Sequence, residues 1–189
     1  SYGTVEVSNS TFSGNSASYS GGGIYNGGTL VVSNSTFSGN SASYSGGGIY
    51  NNSDGALTLK NVIVANSATG SNCYGSITDG GGNLSYPDTT CPGINANPLL
   101  GILQNNGGST ETMALLPGSA AIDAANDASC AAAPVNSLDQ RGVMRPQGLH
   151  CDIGAFEALQ EPTSTPTVTP TSTPTLTPTS TPTPTTTPT

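Results

Sequence analysis

The sequence contains no tryptophan, only three phenylalanines and only three Lys or Arg residues, and just 7% of its 189 residues are charged. Three cations cannot form the basic stripe that neutralises a phosphate backbone, so neither nucleic-acid binding nor recruitment to an anionic membrane is expected. Eleven Asp and Glu residues give a formal net charge of -8 and a pI near 4.1. Hydrophobic residues amount to 33% and aromatics to 5%, too few for a thick core. Ordinary disorder is disfavoured too, because it goes with high net charge per residue. No apolar run is long enough to span a membrane, and no basic-then-apolar segment marks a signal peptide. The chain begins with Ser1 rather than Met, as expected of a processed product or a fragment.

Cysteine is sparse but even in number. Cys73, Cys91, Cys130 and Cys151 form no C-x-x-C pair, and His150 is the single histidine, so no zinc template fits. The even count predicts two disulfides and an oxidising, extracellular compartment. Chain order suggests Cys73–Cys91 and Cys130–Cys151, although four cysteines allow three pairings.

What the sequence has instead is repetition. Residues 8–26 read SNSTFSGNSASYSGGGIYN, and residues 33–51 repeat the same letters 25 positions later. A third, diverged copy begins at Gly55-Ala56-Leu57-Thr58-Leu59-Lys60-Asn61, after a short insertion near Asn52–Asp54. A period in the twenties indicates a solenoid whose coils touch only their neighbours. Apolar residues alternate within each copy (Val5 and Val7, Leu30 and Val32, Leu57 and Leu59), which is a strand period, and the Gly-Gly-Gly runs at 21–23 and 46–48 exclude a helix. Recurring Leu at the offsets of leucine-rich repeats is missing. The reading is an all-β, right-handed parallel β-helix of about 25 residues per coil over residues 1–86, with strands near 4–8, 10–13 and 23–26 of the first coil.

Coil stacking assigns roles. Val5, Leu30 and Leu57 are expected to form one internal column, Phe12, Phe37 and Val64 another, and Ile24 and Ile49 a third. Asn9, Asn34 and Asn61 are expected to form an asparagine ladder at a turn. Thin columns and backbone ladders replace a thick core, with Gly and Asn turning the corners.

Beyond residue 86 the period fades. Residues 87–161 are read as a disulfide-stapled cap that closes the solenoid and covers strand edges. From Pro162 the composition changes to a 28-residue tract of 15 Thr, 8 Pro and 3 Ser without charge. Such a tract favours extended polyproline II and the composition of O-glycosylated stalks, with Thr163, Thr165, Thr167, Thr169, Thr171, Thr173, Thr175 and Thr177 as candidate acceptors.

Two sets of motifs resemble known bacterial families. Asn97-Pro98-Leu99-Leu100, Asn105-Asn106-Gly107-Gly108, Ala114-Leu115-Leu116-Pro117-Gly118-Ser119, Asp139-Gln140-Arg141-Gly142, Arg145-Pro146 and Cys151-Asp152-Ile153-Gly154-Ala155-Phe156-Glu157 are similar to the C-terminal signature of choice-of-anchor Q proteins. The GGGIYN and STFSGN strings resemble the β-helix repeats found in that family, alongside CSLREA domains, and in chlamydial polymorphic outer membrane proteins. The resemblance implies a secreted bacterial surface protein with a right-handed parallel β-helix and a C-terminal anchor, without a defined activity.

Catalysis is weighed because parallel β-helices also host polysaccharide lyases and hydrolases. Such chemistry needs placed carboxylates, or a base with cations. The repeated coils supply only Glu6, Asp54 and Asp79, at different coil positions, so no enzyme, cofactor or metal site is expected. The densest charged cluster is Asp139, Arg141, Arg145, Asp152 and Glu157, with His150 beside it. It reads as ion pairs that pin the closing segment rather than a carboxylate pair with an arginine clamp; His150 reads as a surface residue. Asn9, Asn34, Asn51 and Asn83 open N-x-S/T sequons, though ladder formation accounts for the first two. Tyr19, Tyr25, Tyr44 and Tyr50 are candidates for an exposed stripe that stacks on sugars. The expectation is a non-enzymatic extracellular structural or adhesive rod on a stalk, whose open coil edges self-associate head to tail into filaments. The alternative is a carbohydrate-binding or polysaccharide-cleaving β-helix.

Overall fold

A computed structural model describes residues 3–159; the Thr/Pro tract, with every threonine proposed for glycosylation, lies outside the described residues. Alternating apolar residues and tight polar corners produce short strands that recur once per repeat. The first coil contains β1 (Thr4–Ser8), β2 (Thr11–Ser13), β3 (Ser16–Ala17) and β4 (Ile24–Asn26). The second repeats them as β5 (Thr29–Ser33), β6 (Thr36–Ser38), β7 (Ser41–Ala42) and β8 (Ile49–Asn51). The third contributes β9 (Ala56–Lys60), β10 (Ile63–Ala65) and β11 (Cys73–Tyr74). All pairings between these coils are parallel and in register, which makes a β-solenoid of about three turns.

The expected columns form. Val5 sits opposite Leu30 and Leu30 opposite Leu57; Phe12 sits opposite Phe37 and Phe37 opposite Val64. Ile24 aligns with Ile49, and Cys73 extends that column into the third coil. Phe12 and Phe37 stack with centroids 4.5 Å apart. The bore is filled by Leu30, Val32, Phe37, Ile49, Leu57, Leu59, Val62 and Val64.

Backbone polarity is satisfied mainly by the coil above or below. Asn9, Asn34 and Asn61 turn the same corner with φ of 47°, 44° and 53°, a region asparagine tolerates better than most residues. The triple glycines have a different cause, close approach: a Cβ on Gly22 would lie 2.2 Å from Ser41 O, and one on Gly23 2.6 Å from Gly48 O.

Parallel pairing continues past residue 86. β12 (Thr78–Asp79) pairs with β9, β13 (Leu84–Tyr86) with β10, and β14 (Ile94–Asn95) with β13. An antiparallel hairpin follows, β15 (Leu100–Gln104) with β16 (Thr112–Leu115), and then a single-turn-scale helix α1 (Asp127–Ala131) capped by Asn126. The closing residues return to the outer surface of β10 and β13. There Ile63, Ala65 and Leu84 form a second core with Leu115, Ala121, Ile153 and Phe156. β10 is therefore buried on both faces, Val64 inward and Ile63 outward.

Cys73 and Cys91 are joined by a disulfide. The expected Cys130–Cys151 bond is not formed: both are buried free thiols. Cys130 on α1 turns its sulfur toward the side-chain amides of Asn34 and Asn61, which donate to it at 3.4 and 3.5 Å. Even parity carries no information about that orientation.

Candidate functional site

The acidic and arginine residues of 139–157 converge as expected, but inward. Arg141 pairs with Asp139 at 2.7 Å and lies 3.5 Å over the Phe156 ring centroid. Arg145, almost wholly buried, donates to Asp152 O at 2.9 Å and Gly154 O at 2.8 Å and sits 3.8 Å from Glu157 Oε2. Each carboxylate is occupied by main-chain donors. Asp139 accepts from Arg141, Val143 and Glu157 N–H; Asp152 from Asp123 and Ala158; Glu157 from Gln147 and Asp152. Desolvation raises the Asp152 carboxyl above its ordinary value and pushes Glu157 up to about 7. Burial, and then the hydrogen bond with Cys130, raises the Cys151 thiol far above the usual range, which suppresses the reactive thiolate.

His150 is on the surface, 2.8 Å from Asp127 Oδ2. The hydrogen bond with Asp127 raises the imidazole pKa and lowers that of the carboxyl.

The asparagine corner is only partly a ladder. Asn61 Nδ2 donates to Asn34 Oδ1 at 3.4 Å, whereas Asn34 donates to Cys130 and Asn9 Oδ1 has no partner. Stronger rungs occur where none was expected: Asn26 Nδ2 to Asn51 Oδ1 at 2.7 Å, and Asn15 Nδ2 to Asn40 Oδ1 at 3.0 Å. Their spacing of 25 was the available signal. Asn34, Asn51 and Asn83 are buried, so their sequons do not present an amide to a glycosylating enzyme in the folded chain.

A cleft of about 320 Å³ separates the outer face of β1, β5 and β9 from α1, with Glu6 and Lys60 among its walls. Among the described residues no three His, Cys, Asp or Glu side chains converge where a metal ion would sit. Nor, among them, is any helix long and apolar enough to cross a membrane.

The exposed aromatic surface is the most ordered feature open to solvent. Tyr25, Tyr50 and Tyr74 stack in one column with centroid spacings of 5.0 and 5.1 Å, and Tyr19 and Tyr44 stack in a second at 5.1 Å. Tyr74 was not foreseen; the irregular third coil hides its alignment. The two columns are neighbours: desolvation first, and then the phenols of both columns, raise the Tyr50 hydroxyl pKa. Between them each coil offers only a buried serine, three glycines and an inward isoleucine, so no side chain stands between the rows. The rings lie face to face along the coil axis. Interior rings thus show solvent their edges and hydroxyls, and a flat ring face is left open only where a column ends.

Residues 9–27 and 34–52 match the family model of the Chlamydia polymorphic membrane protein repeat, one match per coil and each bearing one tyrosine from both columns. No curated protein and no solved structure matches the chain.

Proposed function

We propose that this chain is a non-enzymatic structural and adhesive protein of a bacterial cell surface, with the solenoid as a rigid rod that displays its repeated face to the exterior. The observation that carries this reading is the pair of coils, identical over residues 8–26 and 33–51 and stacked residue on residue, which match a repeat named for a membrane protein and align exposed tyrosines into columns. The disulfide accords with an oxidising compartment. The engagement of Asp139, Asp152 and Glu157 by main-chain N–H groups accords with a structural closing segment rather than an acid–base pair. In this reading the closing motifs mark a choice-of-anchor Q protein and the Thr/Pro tract is its O-glycosylated stalk. Self-association runs through strand edges that are unpaired among the described residues, those of β1, β2 and β4.

Beads coated with residues 1–159 are expected to adhere to glycan-bearing surfaces more than uncoated beads, and to leave neutral and acidic polysaccharides uncleaved. Equal adherence of coated and bare beads, or release of reducing ends, overturns the reading. Mass spectrometry of the peptide spanning residues 162–189, released from protein of the producing cells, is expected to show hexose-sized additions to the unmodified peptide mass; the bare peptide mass removes the glycosylated stalk.

A further inference from the structure

The two tyrosine columns differ in length, and the reason lies in the third coil. Ser38 of the second coil is opposite Ala65, an offset of 27, but Ile49 is opposite Cys73, an offset of 24. Three residues have been lost between those points. Hydrogen bonds locate the loss: Ala42 N–H donates to Thr69 O at 3.2 Å, and Gly47 N–H to Gly70 O at 3.0 Å. Ser41 is bridged to Thr69, an offset of 28, so Gly70 lies opposite Ala42 and Ser71 opposite Gly47. One residue is gained between Ser38 and Ser41, and then Ser43-Tyr44-Ser45-Gly46 have no counterpart in the third coil, a net loss of three. A Cβ on Gly70 would lie 2.6 Å from Ala42 O, so the third coil cuts tightly across the corner.

The shortcut leaves the column with no third ring below Tyr44, and this break in the column is termed the notch. The Tyr25 column continues to Tyr74, while the other column stops at Tyr44. Exposure confirms where rings end: Tyr44 is 67% exposed, the same as Tyr19 at the opposite end of its column, whereas Tyr50, sandwiched on both sides, is only half-buried to solvent on its edge. Tyr44 therefore has one ring face against Tyr19 and the other open into the notch. Tyr74, 50% exposed, stands one coil further along in the other column. Ser43 adjoins Tyr44 in the chain and Thr69 adjoins the shortcut, and both are exposed.

We propose that the notch beneath Tyr44 is a binding site for a neutral pyranose ring. The apolar face of the sugar stacks on the open face of Tyr44, and its hydroxyls meet the Tyr74 phenol and the Ser43 and Thr69 side chains. Charge selects the class. Lys60 lines the cleft beneath α1, Arg141 and Arg145 are committed within the closing segment and His150 pairs with Asp127, so none of these cations is placed to meet a sugar carboxylate. The formal net charge of -8 disfavours an acidic sugar further. The site rests on tyrosine geometry: no binding on the array while coated beads still adhere sinks the site and leaves the rod reading standing, and failure of cell-surface display leaves the site standing.

The test is binding of purified residues 1–159 to an array of neutral, N-acetylated and uronic-acid oligosaccharides, with hits titrated by tyrosine fluorescence. Binding is expected for neutral or N-acetylated sugars, at least about tenfold tighter than for uronic-acid ones. Tyr44→Ala is expected to weaken it at least about tenfold, and Tyr44→Phe to retain it. Inserting Ser-Tyr-Ser-Gly between Gly70 and Ser71 extends the column over the open ring and is expected to abolish binding while the circular dichroism stays β-rich. No binding across the array, preference for uronic acids, or binding unchanged in folded Tyr44→Ala overturns the proposal.

Discussion

Glu157 is a carboxylate without solvent, and it sets how the closing segment responds to pH. Desolvation raises its pKa from 4.5 to about 7, so the folded chain keeps a proton that the unfolded chain releases. The stabilisation is fully present below pH 4.5 and is lost as pH rises through about 7, a loss on the order of 3 kcal/mol. Asp152 shifts in the same direction, and His150, raised by Asp127, also loses its contribution as pH rises. Thermal melts from pH 4 to 8 are expected to show falling midpoints, and Glu157→Gln to flatten most of the slope; midpoints that rise over that range contradict the assignment. Asn51 makes a second residue-scale case. Its amide serves Gly55 O and Ser76 O while its oxygen accepts from Asn26. Asn51→Ala removes three hydrogen bonds, one of them from the buried Asn26 amide, and urea titration is expected to register a loss of about 1–3 kcal/mol. The 25-residue spacing of Asn15 with Asn40 and of Asn26 with Asn51 was visible in the letters; which amides face one another was not, because side-chain direction depends on the corner each residue occupies.

Among the elements, β10 is where two cores meet. In the earlier coils its outward positions are Thr11 and Thr36; here the position is Ile63, packed under Ile153 and Phe156. The unbroken apolar run Val62-Ile63-Val64-Ala65, replacing Ser-Thr-Phe-Ser, was the sequence's sign of a strand buried on both sides. Ile63→Thr, which restores the residue of the preceding coils, is expected to cost about 1–3 kcal/mol by denaturant titration and to make the closing segment susceptible to protease while the first two coils resist. A mutant as stable and as resistant as the parent would mean that the segment is held elsewhere. The cysteines belong at this scale as well. Thiol labelling of denatured, unreduced protein is expected to count two thiols, and four after reduction; none before reduction would restore a Cys130–Cys151 bond.

For the whole molecule, the solenoid was legible because one physical constraint, parallel stacking in register, is written as a strict repeat. The columns, the corner asparagines and the inward alternation all follow from it. The tyrosine face was half legible: Tyr19, Tyr25, Tyr44 and Tyr50 repeat, but the orientation of the rings and the entry of Tyr74 depend on a three-residue loss that only the register exposes. The charged closing segment was legible as a cluster of pairs, not as a docking onto β10, because the partners lie from 69 residues (Leu84 to Ile153) to 119 residues (Thr36 to Ala155) away. The proposed function makes the solenoid a rod displayed outside the cell, and protease shaving of intact producing cells tests that claim most directly. Peptides from the solenoid are expected in the shaved fraction before lysis. Recovery of those peptides only after the cells are broken would contradict it.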